Sequence, residues 1–296
     1  MQRRNDSIIN LSIDKTCALT CVLSNSQINN AFHYYSLKLV INGQAIYKLN
    51  KKCYQVEENH FLLTNSGQED FGIIDSKKDV VQFCVHLSPT TIADAYSTLA
   101  INLQSDPDCD FRQSCRFQLF ENTYSIKGHS NLSRLLMSLS EKIKTGNEIH
   151  LNEEWFFQLM ETIILQETEI QSALKKLKTV KLSTRNEIMK RLLLAKEYMD
   201  AFYTTDPMIG EIARNSMMSE FFFFRKFKQA FSTTPYKYML DKKIQAAGDL
   251  MRSRNLNLHE IAVSTGFPDL QTFSKAYKRK YGLPPSRARR SAENGI

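Results

Sequence analysis

The stretch GFPDLQTFSKAYKRKYGLPPS, residues 266–286, decides the fold of the last third of the chain. Gly266 tolerates a left-handed backbone and therefore marks a turn, and Asp269 can cap the helix that follows. Phe273 and Tyr277 lie four residues apart and predict an inward apolar face. The opposite face of this helix carries one apolar residue beside polar and basic ones: Leu270, Gln271, Ser274, Lys275 and Lys278.

The same pattern occurs about 50 residues earlier in the chain. EIARNSMMSEFFFFRKFKQAFSTTP, residues 211–235, matches EIAVSTGFPDLQTFSKAYKRKYGLPP, residues 260–285. The offset is 49 residues at the shared Glu-Ile-Ala and 50 residues at the later phenylalanines. We therefore expect one extra residue in the turn of the second copy, and each copy reads as helix, turn, helix.

The first copy also has helix caps and an outer face. We expect Asp206 to cap its leading helix and Ser219 its second helix. In the second copy, Asn257 and Glu260 have the spacing of a capping box. The outer face of the second helix in the first copy carries Phe221, Phe224, Arg225 and Lys228. A short helix with a basic outer face after a tight turn is suited to insertion into the major groove of DNA.

A single helix is predicted between the two copies. Apolar residues keep helical spacing through residues 235–252, at Tyr236, Leu240, Ile244, Ala247 and Met251. Eighteen helical residues span about 27 Å. A strut of that length could place two helices in successive major grooves, which are about 34 Å apart on one face of DNA.

The positive charge of the chain lies in the same third. Residues 185–296 hold 20 Lys and Arg residues against 11 Asp and Glu, whereas the whole chain of 296 residues holds 39 against 31. A basic domain attached to a nearly neutral one points to a polyanionic partner. No signal peptide is recognisable, and no apolar stretch reaches the roughly 18 residues that span a bilayer. We therefore expect a cytoplasmic protein that does not contact a membrane.

Residues from about 185 to 290 resemble the DNA-binding domain of the AraC/XylS family of transcription regulators. The resemblance is most specific over residues 266–286 and continues along the linking helix, residues 232–251. Met217 and Ser232 stand where the family commonly has glycine, and Lys275 stands where arginine is frequent. The resemblance implies base-reading positions near the start of each second helix, which are Phe221, Phe224, Arg225, Leu270, Gln271, Ser274 and Lys275.

Each of these positions has a chemical role that its side chain can fill. Arg225 can donate two hydrogen bonds to guanine, and Gln271 can pair with adenine. The apolar side chains at these positions can contact thymine methyl groups. Lys228 and Lys278 are better placed for phosphates. Ser219, at the start of the second helix in the first copy, is also expected to contact DNA. Double-stranded DNA is therefore the expected partner, and the resemblance implies activation through RNA polymerase.

The first 90 residues read as short strands. Segments 33–41, 44–49, 53–56, 60–65, 70–75 and 80–87 are rich in aromatic and β-branched residues, and Asn42-Gly43 is a hairpin signal. Helical patterns follow, including Leu132 to Leu139 and the run 151–178 with its stripe Trp155, Leu159, Ile163 and Ile170. That stripe packs against the strands or forms a dimer. Strands at near-regular spacing predict a small antiparallel barrel or sandwich.

Residues 47–71 loosely resemble the cupin-like sensor domains that precede such DNA-binding domains, with Asn59 where a turn glycine is expected. We therefore predict an α+β protein: a small cupin-like antiparallel β-barrel with helices, followed by an all-α domain with two helix-turn-helix units joined by a long helix. The predicted segments are 1–125 (sensor), 126–181 (helical linker or dimerisation region) and 182–296 (DNA-binding domain). The residues that could line an effector pocket are Tyr35, Leu37, Tyr47, Phe61, Phe83 and His86.

No cofactor or metal is expected, because His33, His60 and His86 are scattered. The six cysteines, at positions 17, 21, 53, 84, 109 and 115, should be reduced and mostly buried. We expect a regulator and not an enzyme. One alternative is a dimeric regulator that needs no ligand. A second is a DNA-alkylation repair enzyme, since Cys17 and Cys21 resemble half of the zinc site of such proteins.

Overall fold

The computed structural model describes residues 4–10, 17–23, 26–32, 34–49, 52–66, 68–74, 80–102, 119–128, 130–147, 149, 151–178, 181–253 and 256–293. The chain divides into two compact units. We refer to Met1–Gln171 as the β-rich unit and to Ser172–Ile296 as the helical unit. The segment boundaries expected after residues 125 and 181 stay predictions.

The β-rich unit contains every strand in the described part of the chain. The strands are β1 (Arg4–Asn10), β2 (Cys17–Leu23), β3 (Ser26–Phe32), β4 (Tyr35–Asn42), β5 (Gln44–Leu49), β6 (Lys52–Glu57), β7 (His60–Thr64), β8 (Gln68–Ile74), β9 (Val80–Leu87) and β10 (Thr123–Ser125). All pairings between these described strands are antiparallel. Each strand predicted between residues 33 and 87 is present.

These strands form two sheets. The larger sheet has the order β1-β2-β9-β4-β7-β10, and the smaller one has the order β3-β8-β5-β6. Val40, Leu62 and Val80 of the larger sheet share one buried cluster with Tyr47 and Val56 of the smaller sheet. The α+β class is confirmed, whereas the described strands form two sheets with a common core instead of the expected closed barrel.

The turn at Asn42-Gly43 does not form the expected hairpin. β4 pairs with β7 and β9, whereas β5 pairs with β6 and β8, so the chain passes from one sheet to the other at Gly43. Gly43 has φ +86°, and a Cβ there would lie 3.0 Å from Cγ2 of Val80. The turn signal is correct, but it cannot specify the partners of β4. β4 is buried on both faces, so other parts of the unit pack against each face of the larger sheet at this strand.

Helices complete the β-rich unit: α1 (Pro89–Asn102), α2 (Asn131–Lys144) and α3 (Glu153–Lys176). The Ser130 hydroxyl accepts a hydrogen bond from the Ser133 amide and caps α2. Leu159, Ile163 and Ile170 of α3 are buried, and Trp155 meets the Phe83 ring edge-on, with 6.1 Å between ring centres. The predicted stripe therefore packs inward, and its role in a dimer stays a prediction.

The helical unit consists of the end of α3 and seven further helices within the described residues. They are α4 (Leu182–Phe202), α5 (Ile209–Asn215), α6 (Glu220–Phe231), α7 (Pro235–Ser253), α8 (Leu258–Ser264), α9 (Leu270–Tyr281) and α10 (Pro285–Glu293). Pairs α5–α6 and α8–α9 are the two predicted helix-turn-helix units, and α7 is the predicted linking helix. None of the described helices combines the length and apolar character that crossing a bilayer requires.

Candidate nucleic-acid interface

The turn between α5 and α6 reverses the chain over three residues. Ser216 ends α5, and Met217 adopts a left-handed backbone with φ +55°. The Met218 amide then donates to the Ala213 carbonyl at 2.9 Å. Ser219 occupies the predicted N-cap position of α6, although its side chain makes no capping hydrogen bond.

The turn between α8 and α9 repeats this geometry. Gly266 has φ +81°, and the Phe267 amide donates to the Ala262 carbonyl at 2.9 Å. Asp269 then caps α9 by accepting from the Thr272 amide at 2.6 Å. Pro268 lies between the turn and this cap, so it is the extra residue of the second copy.

The leading helices of the two copies are capped differently. Asn257 and Glu260 form the predicted capping box at the start of α8. The prediction that Asp206 caps α5 is wrong, because α5 begins at Ile209 with Met208 as its N-cap. Asp206 instead ends a 3₁₀ turn with φ 51°.

The outer face of α6 combines aromatic and basic side chains. Phe221 is 75% exposed and Phe224 is 36% exposed, whereas Phe223 and Phe227 are fully buried. The Arg225 guanidinium lies 5.5 Å from the centre of the Phe221 ring, within the range of a cation–π contact. The buried pair packs α6 against the unit, so the exposed rings and the guanidinium lie on the solvent-facing side of the helix.

The outer face of α9 is polar. Gln271, Lys275 and Lys278 are exposed, Ser274 is half-buried, and Leu270 is 37% exposed. The inward residues Phe273 and Tyr277 are buried. The predicted DNA-contacting residues of α6 lie on one exposed face, and so do those of α9. Their contacts with DNA stay predictions.

Lys243 of α7 connects the two helix-turn-helix units. Its side chain is only 5% exposed, and Nζ lies 2.6 Å from the Asp206 carboxylate, ahead of the first unit. The same ammonium donates to the carbonyl of Gly266, in the turn of the second unit, at 2.6 Å. A Cβ on Gly266 would lie 2.4 Å from the carbonyl oxygen of Thr204. The 3₁₀ turn ahead of the first helix-turn-helix unit is therefore in direct contact with the turn of the second unit, and the buried Lys243 ammonium binds both, which sequence analysis did not identify.

The six residues expected to line an effector pocket do not share one face of the larger sheet. Leu39 pairs with both Phe61 and Phe83. Tyr35 and Leu37 lie on the same face as these rings, because side chains alternate along a strand. This face includes the stacked pair of Phe61 and Tyr124, with 5.3 Å between ring centres.

The remaining two residues lie on the opposite face, between the sheets. His86 pairs with Ser36, and the Tyr47 hydroxyl donates to Oε1 of Gln82 at 2.6 Å. Lys38 is 3% exposed, and its ammonium lies 5.1 Å from the centre of the Tyr47 ring. Burial and the Lys38 charge lower the pKa of His86 to about 4. Lys38 and Gln82 were missed because strand alternation alone does not reveal which face meets the second sheet.

Two family models match this chain. An AraC-like ligand binding domain matches residues 25–160, and a helix-turn-helix domain matches residues 212–291. The chain belongs to the AraC family.

Two relatives of this AraC-family chain match about a third of its length. The probable transcriptional regulator LumQ of Photobacterium leiognathi is 27% identical over 96 residues, which are 32% of this chain and 39% of LumQ. The raffinose operon transcriptional regulatory protein RafR of Pediococcus pentosaceus is 31% identical over 98 residues, 33% of this chain and 35% of RafR. The chain thus spans less than two fifths of either relative. The structure of ToxT from Vibrio cholerae is 14% identical, covering 93% of this chain and 97% of ToxT, with a TM-score of 0.34.

Three residues of this AraC-family chain that stand where the resemblance implies glycine have a left-handed backbone. Met217, Ser232 and Asn59 have φ values of 55°, 56° and 61°. Glycine adopts this conformation without strain, whereas other residues do so at a cost, which is smaller for asparagine. The non-glycine residues therefore occupy positions where the backbone itself favours glycine.

The zinc site of a repair enzyme is not supported. Cys17 and Cys21 both lie in β2, and four residues of an extended strand cover about 13 Å. Two sulfur ligands of one zinc ion lie within about 4 Å of each other, because each Zn–S bond is about 2.3 Å long. Among the residues described, no group of three or more His, Cys, Asp or Glu could hold a metal.

The side chains of Cys53 and Cys84 are described. Cys84 is buried as expected, whereas Cys53 is exposed. His33, Cys109 and Cys115 lie outside the described residues.

Proposed function

We propose that this protein is a sequence-specific, DNA-binding transcription regulator whose α6 and α9 enter two successive major grooves. The observation that carries this proposal is the structural repeat: two equivalent units each expose a basic or polar face on the helix after the turn. Helix α7 has 19 residues and is about 28 Å long. That length suits recognition helices in neighbouring grooves about 34 Å apart.

Some exposed side chains of the two recognition helices, α6 and α9, read bases, and others contact phosphates. Arg225 reads guanine, and Gln271 reads adenine. Phe221 and Phe224 offer only apolar surface, for which the thymine methyl group is the matching feature of the major groove. Lys228 and its counterpart on α9 hold phosphates and set the register without reading sequence.

A small effector controls this regulator through the β-rich unit. The support is the match of residues 25–160 to an AraC-like ligand binding domain, together with polar side chains between the sheets. Lys38, Tyr47, Gln82 and His86 would orient a polar ligand there. The alternative, a dimeric regulator that needs no ligand, differs in a measurable way: metabolites then leave the melting temperature of the β-rich unit unchanged.

The remaining partners follow from this function. As a regulator, the protein acts in the cytoplasm, activates transcription by recruiting RNA polymerase, and forms a homodimer, with no enzymatic step of its own. The exposed Phe157 of α3 is available for such a dimer. Sedimentation of the full chain at increasing concentration tests the dimer, and transcription from a promoter with the selected site tests activation.

The decisive experiment is selection of preferred sites from random duplex DNA by the full chain at near-physiological salt. A bipartite site with elements about 10 base pairs apart is the expected result. Arg225→Ala should then cost about 1–3 kcal/mol on the selected site and little on random DNA, whereas Lys228→Ala should weaken both alike. Binding that is salt-sensitive but indifferent to sequence would refute the two-groove proposal.

A further inference from the structure

A concave surface beside α6 extends past the helix-turn-helix unit. Phe221, Phe224, Arg225 and Lys228 line it, as does Lys178, which precedes α4 and lies outside the matched helix-turn-helix domain. Every charged side chain among the described residues that line this surface is a cation. The face that carries the proposed base-reading residues therefore has an additional positive charge that comes from another segment.

Two residues next to Lys178, at the end of α3, are fixed by contacts within the helical unit. Leu177 is 1% exposed, and its amide donates to the carbonyl of Ala173 at 3.2 Å. Nζ of Lys176 donates to the hydroxyl of Ser232, the C-cap residue of α6, at 3.1 Å. Lys178 itself is exposed. The neighbouring Lys176 is thus bonded to α6, and the exposed Lys178 side chain lies beside the same helix.

We infer that Lys178 contacts a phosphate of the DNA backbone beside the groove that α6 enters. The inference rests on the proposed function. Cations gathered on one concave surface repel one another, and a phosphate backbone relieves that repulsion while releasing its own counterions. A lysine ammonium is a compact charge on a flexible stem and binds a phosphate as a point charge. The interface therefore begins before residue 182.

The test compares Lys178→Ala with Lys175→Ala in the full chain. Lys175 is an exposed lysine three residues earlier that does not line the concave surface. Affinity is measured between 50 and 200 mM salt, on the selected duplex and on a random duplex. Losing one phosphate contact should lower the salt slope by about 0.9 and weaken binding by roughly five- to ten-fold at 0.1 M salt. The loss should be the same on both duplexes.

Three results would count against the inference. If Lys178→Ala matches Lys175→Ala in affinity and slope, Lys178 makes no phosphate contact, although the regulator still binds DNA. If Lys178→Ala weakens only the selected duplex, the residue reads bases instead. If the unmodified chain shows no preference for its selected site and Arg225→Ala changes nothing, the proposed function itself fails.

Discussion

Replacing Gly266 by alanine should destabilise the helical unit by about 1–4 kcal/mol. The left-handed backbone, with φ +81°, costs a residue with a Cβ about 1–2 kcal/mol. The new Cβ would also lie 2.4 Å and 2.6 Å from the carbonyl oxygen and Cα of Thr204. Because these are backbone atoms that cannot rotate away, we add about 1–3 kcal/mol for overpacking. The lower entropy of the unfolded chain returns about 0.5–1 kcal/mol.

Met217 of the first unit occupies the position equivalent to Gly266. Met217→Gly is therefore the reverse substitution, which places glycine at a left-handed residue. The Met217 side chain is 66% exposed, so its removal loses little packing. Relief of the left-handed backbone exceeds the entropy cost of glycine, and we expect a gain of about 0.5–1 kcal/mol. Ser232→Gly, at the left-handed C-cap of α6, should act in the same direction.

Thermal unfolding followed by circular dichroism at 222 nm measures both substitutions. Gly266→Ala should lower the melting temperature of the helical unit by about 10 °C, and Met217→Gly should raise it by a few degrees. The chain has one tryptophan, Trp155 in the β-rich unit, so its fluorescence transition is an internal control that should not move. A loss of stability in Met217→Gly, or a change below about 0.5 kcal/mol in Gly266→Ala, would refute this account of the turns.

Two further substitutions probe buried ionisable groups. Burial raises the pKa of Glu167 from 4.5 to about 7. Between these two pH values the folded chain holds a proton that the unfolded chain lacks. The free energy of unfolding therefore falls as the pH rises from 4.5 to about 7. Glu167→Gln, whose carbonyl can still accept from the Phe120 amide, should abolish this fall of up to about 3 kcal/mol in urea unfolding; an unchanged pH profile would contradict the assignment. Lys243→Met removes the cation that holds Asp206. A DNA site with one base pair inserted between its two elements should therefore lose less affinity for this variant than for the unmodified chain. Lys242→Met is its control, and equal spacing preferences in all three proteins would show that Lys243 does not position the two units.

The helical unit was largely predictable because its information is local. Caps at Ser219, Asn257 and Asp269 stand next to the helices that they start, and the apolar pairs that face inward are four residues apart. The repeat supplied a second copy of the same pattern, so each copy supported the reading of the other. The exposed faces of α6 and α9 follow from that spacing alone.

Contacts between distant segments were not predictable. Asp206 was expected to cap α5 because an acidic residue before a proline is a cap signal, yet its carboxylate pairs with Lys243 of α7, 37 residues away. Nothing in the spacing around Lys243 distinguishes it from its charged neighbours Asp241 and Lys242. Its burial depends on two turns that meet at α7, which is a property of the folded unit.

In the β-rich unit, too, features set by neighbouring residues were predictable and contacts between distant segments were not. The amino-acid sequence determined where the strands and turns lie, because aromatic and β-branched runs and the left-handed residues at Gly43 and Asn59 are local features. Only the tertiary structure decided that β4 and β5 belong to different sheets, and that Tyr47 and His86 face the opposite side from Phe61. A strand pairs through backbone groups that are alike in every residue, so side-chain alternation can show that a strand has two faces without showing what each face meets.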